Sequence, residues 1–187
     1  SGNTTRLTAA VNAGKWEVAA TAGGVMVLFL VGVGIGALIS QLGHRHLPRT
    51  RTREAILLFI CATSTLASVM VLTGHEQLAV YSLSFTVGAM NSTFERDGEV
   101  SISLTYMTGT LVKMSQRFVA ALFGGPHIDW IRYFALWVAL ACGALLGGWM
   151  YVQAGLHAVL VVTGMLYAGT VTALVYRQWR RNRGLAV

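Results

Sequence analysis

The stretch VAATAGGVMVLFLVGVGIGALISQLG, residues 18–43, decides the fold. It runs 26 residues without a charge, and a helix needs only about 20 apolar residues to cross about 30 Å of hydrocarbon. Four more uncharged runs follow, at residues 55–74, 77–94, 133–156 and 158–176. The whole composition agrees. Of 187 residues, 55% are hydrophobic and 11% are charged, whereas soluble domains carry about 25% charged residues. All five runs read as spanning helices, so the expected fold class is an all-α polytopic membrane protein with the lipid bilayer as its first partner. The net charge of +7 does not mark a nucleic-acid binder, because the basic residues sit in short clusters between apolar runs and not along one polar face.

Those clusters set orientation. Arg45, Arg49, Arg51 and Arg53 between the first two runs, and Arg177, Arg180, Arg181 and Arg183 in the tail, are the densest, and the positive-inside rule places both in the cytoplasm. The C-terminus is then cytoplasmic and residues 1–15 lie on the outer side. Cys61 and Cys142 each fall inside an apolar run and read as small hydrophobes. His44, His46, His75, His127 and His157 lie at run ends without a ligand cluster, so no metal and no cofactor is expected.

A repeat organises the runs. At an offset of 107 residues, Ser1-Gly2-Asn3-Thr4-Thr5-Arg6-Leu7 aligns with Thr108-Gly109-Thr110-Leu111-Val112-Lys113-Met114, which matches Gly2 to Gly109 and Arg6 to Lys113. The same offset, without a gap, sets Gly36-Ala37-Leu38 on Gly143-Ala144-Leu145 and the small residues Gly32, Gly36 and Ser40 on Ala139, Gly143 and Gly147. Three runs separate the paired motifs, and an odd number reverses direction. The expected architecture is an inverted 3+3 repeat whose first span is missing, leaving five spans. Residues 1–74 are the remainder of the first repeat and residues 75–187 the second, within a single membrane domain. Substrate routes of inverted-repeat transporters form at the repeat interface from broken or re-entrant segments, a role expected here for the two threonine-glycine motifs.

The stretch Gly88-Ala89-Met90-Asn91-Ser92-Thr93-Phe94, the turn Arg96-Asp97-Gly98-Glu99 and the segment Leu104-Thr105-Tyr106-Met107-Thr108-Gly109-Thr110-Leu111-Val112-Lys113 resemble the second-repeat signature of the YoaK family. Ser1-Gly2-Asn3-Thr4-Thr5-Arg6-Leu7 resembles the tail of its first-repeat signature. The resemblance implies a bacterial inner-membrane protein of six spans. It implies location and architecture more than activity.

The motifs themselves point to polar recognition. Residues 100–105 alternate as a strand would, and a helix is expected from Leu111 to about Phe123, with Thr108 or Thr110 as its cap. A helix start carries free amide hydrogens and about half a positive charge, which suits an anion or a polarised carbonyl. The candidate substrate-binding residues are Gly2, Asn3, Thr4, Arg6, Asn91, Thr105, Thr108, Gly109, Thr110 and Lys113. Gly32, Gly36, Ser40, Ala139, Gly143 and Gly147 are candidates for close helix packing, within the chain, in a homodimer or against another membrane subunit. The expected function is a small-solute permease or facilitator for a polar or anionic solute. The alternative is a non-transporting interaction or assembly subunit. An enzyme is not expected, because no histidine lies inside a run to serve as the base for a nucleophile. All seven acids lie outside the runs or at their edges, which disfavours proton symport.

Overall fold

The structure, a computed structural model, describes residues 2–46, 48–96, 99–100 and 106–183. Most of these fall in α1 (Gly2–Asn12), α2 (Trp16–His46), α3 (Arg49–Leu72), α4 (Glu76–Met90), α5 (Met107–Leu122), α6 (Asp129–Ala154) and α7 (Ala158–Asn182). Two 3-10 turns, at Asn91–Phe94 and Gly155–His157, follow α4 and α6. The only strands among the described residues are β1 (Glu95–Arg96) and β2 (Glu99–Val100), paired antiparallel. The strand expected at 100–105 lies outside the described residues beyond Val100, as does Thr105.

Among the described residues, three helical stretches are long and apolar enough to cross a bilayer: Trp16–His46, Arg51–Leu72 and Asp129–Asn182. The third is not one rod. Gly155 caps α6 at φ 57° and ψ −142°, a conformation that only glycine holds without strain, and it divides the stretch into arms of 26 and 25 residues. The run at 77–94, expected to be a full spanning helix, is instead a 15-residue helix followed by a four-residue 3-10 turn. The change of pitch begins at Asn91, whose Nδ2 donates to Val87 O at 3.2 Å and Gly88 O at 3.3 Å. That side chain takes the last carbonyls that a continuing α-helix would have used.

The chain forms two compact units, one of Ser1–Ile102 with Val159–Val187 and one of Ser103–Ala158. They do not coincide with the halves 1–74 and 75–187, because α4 packs on α2 and α3.

In the first unit, α2 and α4 run parallel. Tyr81 lies on Gly24, Ser84 Oγ donates to Val25 O at 2.7 Å, and Gly36 faces Ala89 and Ser92. Between these points the backbones meet through glycines: a Cβ on Gly32 would collide with the Phe85 carbonyl, and a Cβ on Gly88 with the Phe29 carbonyl. Each glycine thus faces the carbonyl three residues before the other. The α3 helix runs opposite to α4, with Ile56 and Ile60 buried against Ala89, and Phe59 meets Phe85 edge-on at 6.0 Å. It turns back from α2 at Pro48, whose carbonyl accepts the first helical bonds from Arg51 and Thr52. Thr52, 1% exposed, covers Gly43. The end of α2, the start of α3 and the end of α4 therefore share one end of the unit, where Arg45, Arg49, Arg51 and Arg53 lie. The α1 helix folds back along α2, with Leu7 Cδ1 3.9 Å from where a Gly23 Cβ would sit. In the second unit, α5 packs on α6, and Phe118 meets Trp130 edge-on at 5.3 Å.

Gly32→Val and Gly88→Val will each cost about 1–3 kcal/mol, because the colliding atoms are backbone carbonyls that cannot swing aside. Gly34→Ala, with nothing within 4 Å, will stay within about 0.5 kcal/mol of the parent. Thermal unfolding midpoints in detergent check both.

Candidate functional site

The two motifs open two helical hairpins built alike. The first is α1 turning into α2, the second α5 turning into α6. Both motif helices end on the same pair of bonds: Gly14 N to Val11 O at 3.1 Å with Lys15 N to Ala10 O at 2.9 Å, and Gly124 N to Ala121 O at 3.4 Å with Gly125 N to Ala120 O at 2.9 Å. Gly14 at φ 67° and Gly124 at φ 89° take the left-handed conformation that this termination requires. The order short helix, long helix, long helix occurs at α1–α2–α3 and recurs at α5–α6–α7.

Gly2, Asn3, Thr4 and Arg6 lie together, exposed, on the first turns of α1. Thr108, Gly109, Thr110 and Lys113 lie together at the start of α5, with Thr108 and Lys113 exposed and Gly109 and Thr110 buried. The expected cap is not seen. The α5 helix starts four residues earlier than Leu111, Tyr106 holds the N-cap position, and no side chain bonds there. The Tyr106 ring lies where a Cβ on Gly109 would be. Thr110, already inside the helix, donates its hydroxyl back to Tyr106 O at 3.0 Å. Four residues past the N-cap, Thr110 is placed to bond back along the helix and not to cap it. Asn91 belongs to neither hairpin: it is 4% exposed at the end of α4 beside Ser92, and its amide terminates that helix.

The small residues divide by unit. Gly32 and Gly36 face α4 and its 3-10 turn, and Ser40 is 1% exposed. On α6, Ala139 and Gly143 are exposed, and within that unit neither Gly143 nor Gly147 has an atom within 4 Å of a built Cβ.

A second polar feature escaped the sequence reading, a ladder of hydroxyls between α3 and α7. Ser64 Oγ lies 2.7 Å and Ser68 Oγ 2.9 Å from Thr163 Oγ1, Thr65 Oγ1 lies 2.8 Å from Tyr167 OH, and Cys61 Sγ lies 3.4 Å from Thr170 Oγ1. The pairing is antiparallel, so the end of α7 joins the basic end of the first unit, where Arg181 Nη1 stands 3.3 Å from Glu54 Oε1. The signal was present as spacing: 61, 64, 65 and 68 on one run and 163, 167 and 170 on another each mark a single helical face. What spacing could not supply is the partner. Cys61, read as a small hydrophobe, is buried but also bonded. Among the described residues, no group of His, Cys, Asp and Glu could hold a metal ion.

Long apolar helices closed on themselves by polar side chains define an integral membrane protein of α-helical class. The chain belongs to the family described as Protein of unknown function (DUF1275), matched over residues 1–172. It is similar to the UPF0700 transmembrane protein RA0705 of Rhizobium meliloti (strain 1021), at 31% identity over 102 residues. That match covers 54% of this chain and 44% of the relative, so the chain spans about half the length of the relative it matches. No solved structure matches it.

Thr163→Val keeps the shape of the side chain and removes the hydroxyl shared by Ser64 and Ser68. It will cost about 0.6–2 kcal/mol, and Ser64→Ala added to it will cost less than Ser64→Ala alone. A double-mutant cycle on unfolding in detergent measures the difference.

Proposed function

We propose that this protein is a small-solute permease or facilitator of the bacterial inner membrane, with the solute route at the interface of two inverted repeats. The observation that carries the reading is the position of two cations. Arg6 lies eight residues before Gly14 and Lys113 eleven before Gly124, so each sits about 12 or 16 Å along its helix from the hairpin turn. Both side chains are exposed. With the turns at the membrane surface, those distances reach the middle of a bilayer about 30 Å thick. A charge facing lipid there costs about 2.5–3.5 kcal/mol or more, and such residues face water-filled cavities instead. On each hairpin taken by itself, a cation so placed suits an anionic or strongly hydrogen-bonding solute, with Gly2, Asn3 and Thr4 beside Arg6 on one and Thr108, Gly109 and Thr110 beside Lys113 on the other.

Several features support the duplicated, six-span architecture behind this reading. The 3-10 turn extends α4, and the two together cover about 30 Å, enough for one crossing. The α4 and α7 helices both run opposite to α3, as a chain with one net crossing between them would require. Crossings by α2, α3, α4, α6 and α7 would make five spans of such an arrangement. The basic end of the first unit then faces the cytoplasm. Kinship with the YoaK family in particular belongs to the same reading. A second reading, a subunit that binds another membrane protein, draws on the open face of α6 at Gly143 and Gly147.

Two experiments test the proposal. Arg6→Ala and Lys113→Ala will each lower flux of a permeant anion into liposomes at least tenfold without lowering the unfolding midpoint. Flux that survives both changes rejects the route. In a Cys61→Ser, Cys142→Ser background, Asn3→Cys and Thr108→Cys will react with a membrane-impermeant thiol reagent from opposite sides of the bilayer. Reaction of both from one side rejects the inversion.

A further inference from the structure

The interface between α3 and α7 does not end with its hydroxyls. On α7 the face that carries Thr163, Tyr167 and Thr170 continues, at the same helical spacing, through Arg177 to Arg181. On α3 the face of Cys61, Ser64 and Ser68 continues back to Glu54, the only acid of that helix, and α7 has none. Two guanidiniums thus share a helical face at the end of the pair where the one carboxylate lies, and Arg181 is the one that stands against it.

The pairing is incomplete in a specific way. Glu54 Oε1 is 3.3 Å from Arg181 Nη1 and buried, yet it accepts no hydrogen bond, and Arg177 Nη1 is buried and donates none. Glu54 is 19% exposed and Arg181 40%. A buried guanidinium hydrogen without an acceptor is costly, more so than a neutral amide left alone. Nearby cations do not relieve it. Arg51 and Arg53 are exposed on α3, and Arg183 stacks on the Trp179 ring at 4.1 Å. One carboxylate neutralises one guanidinium, which leaves one positive charge and several planar N–H donors at the end of the bundle where the chain's arginines gather.

We propose that Arg177 and Arg181, held in register by Glu54, form a binding site for a phosphate oxyanion, supplied by the headgroup of an anionic phospholipid. The guanidinium fork fits two phosphate oxygens at once. Basic pockets between spanning helices on the cytoplasmic side take anionic headgroups for this reason. Arg177 contacts the ligand and Glu54 positions Arg181. Tyr176 and Trp179, both exposed on α7 beside Arg177 and Arg180, are the amphipathic rings favoured at a membrane interface.

The test uses the purified full chain in neutral detergent, with phosphatidylglycerol, phosphatidylcholine or inorganic phosphate added, and reads the unfolding midpoint and the lipid retained in native mass spectrometry. Phosphatidylglycerol is expected to raise the midpoint and to be retained at one molecule per chain, whereas phosphatidylcholine does neither. Arg177→Gln will weaken the response at least tenfold, and Arg180→Gln will leave it within twofold. Should Arg177→Gln fail to fold, Arg177→Lys keeps the charge but loses the fork and will retain less lipid than the parent. Inorganic phosphate matching the phosphatidylglycerol effect would uphold the oxyanion site and assign it to a soluble anion, overturning the lipid source. An equal loss in Arg177→Gln and Arg180→Gln, which marks diffuse attraction, or an unchanged response in Arg177→Gln and Arg177→Lys, would overturn the site.

Discussion

Lipid gives two apolar helices no reason to leave it for each other, because hydrocarbon solvates leucine as well as another helix does. Association then depends on contacts that lipid cannot make. The reciprocal approach of Gly32 and Gly88 to the carbonyls of Phe85 and Phe29 is one such contact. Backbone comes against backbone over a length where any side chain would hold the helices apart, and many weak Cα–H to oxygen and dispersion contacts are gained at once. The α2–α4 pair forms the floor on which α3 lays Ile56 and Ile60. The antiparallel course of α3 follows from that floor.

The remaining contacts are polar and sorted by depth. Hydroxyls join α3 to α7 along the middle of those helices, and charged groups meet only near their ends. This order reflects cost. A hydroxyl can be satisfied by one neighbour and its own helix, whereas a guanidinium needs several acceptors or water. Arg6 and Lys113 depart from the order, exposed well inside their hairpins, and the functional proposal rests on that departure.

Much of the fold was legible because hydropathy reports solvent and helices long enough to span leave little choice of element. The runs at 18–43, 55–74, 133–156 and 158–176 became α2, α3, α6 and α7, with ends displaced by a few residues into charged sequence that the helices carry beyond the apolar run. The third run was read too simply. Nothing in its hydropathy shows that Asn91 would spend its amide on Val87 and Gly88 and tighten the last turn. The start of α5 was misplaced for a related reason: threonine caps helices in general, but Tyr106 covering Gly109 moves the start upstream and turns Thr110 inward. The hydroxyl face of α3 was visible as a period, yet its partners lie on another helix far along the chain, and a period alone cannot identify them. Gly88 escaped because its role depends on Gly32 in a different run.

The distance along the chain has a consequence for biogenesis. Ser64 and Thr163 are 99 residues apart, and at about 5–20 residues per second a ribosome needs about 5–20 seconds to make the intervening chain. Through that interval α3 resides in the bilayer before its mate exists. It is equipped to wait: Ser68 donates to Ser64 O at 3.1 Å and Thr65 to Cys61 O at 2.8 Å, bonds that lie within one helix and are ready as soon as it forms. Two of the hydroxyls that later clasp α7 are thus met beforehand within α3, whereas Ser64 Oγ, bonded to Thr163 in the finished chain, is the group left waiting for its mate.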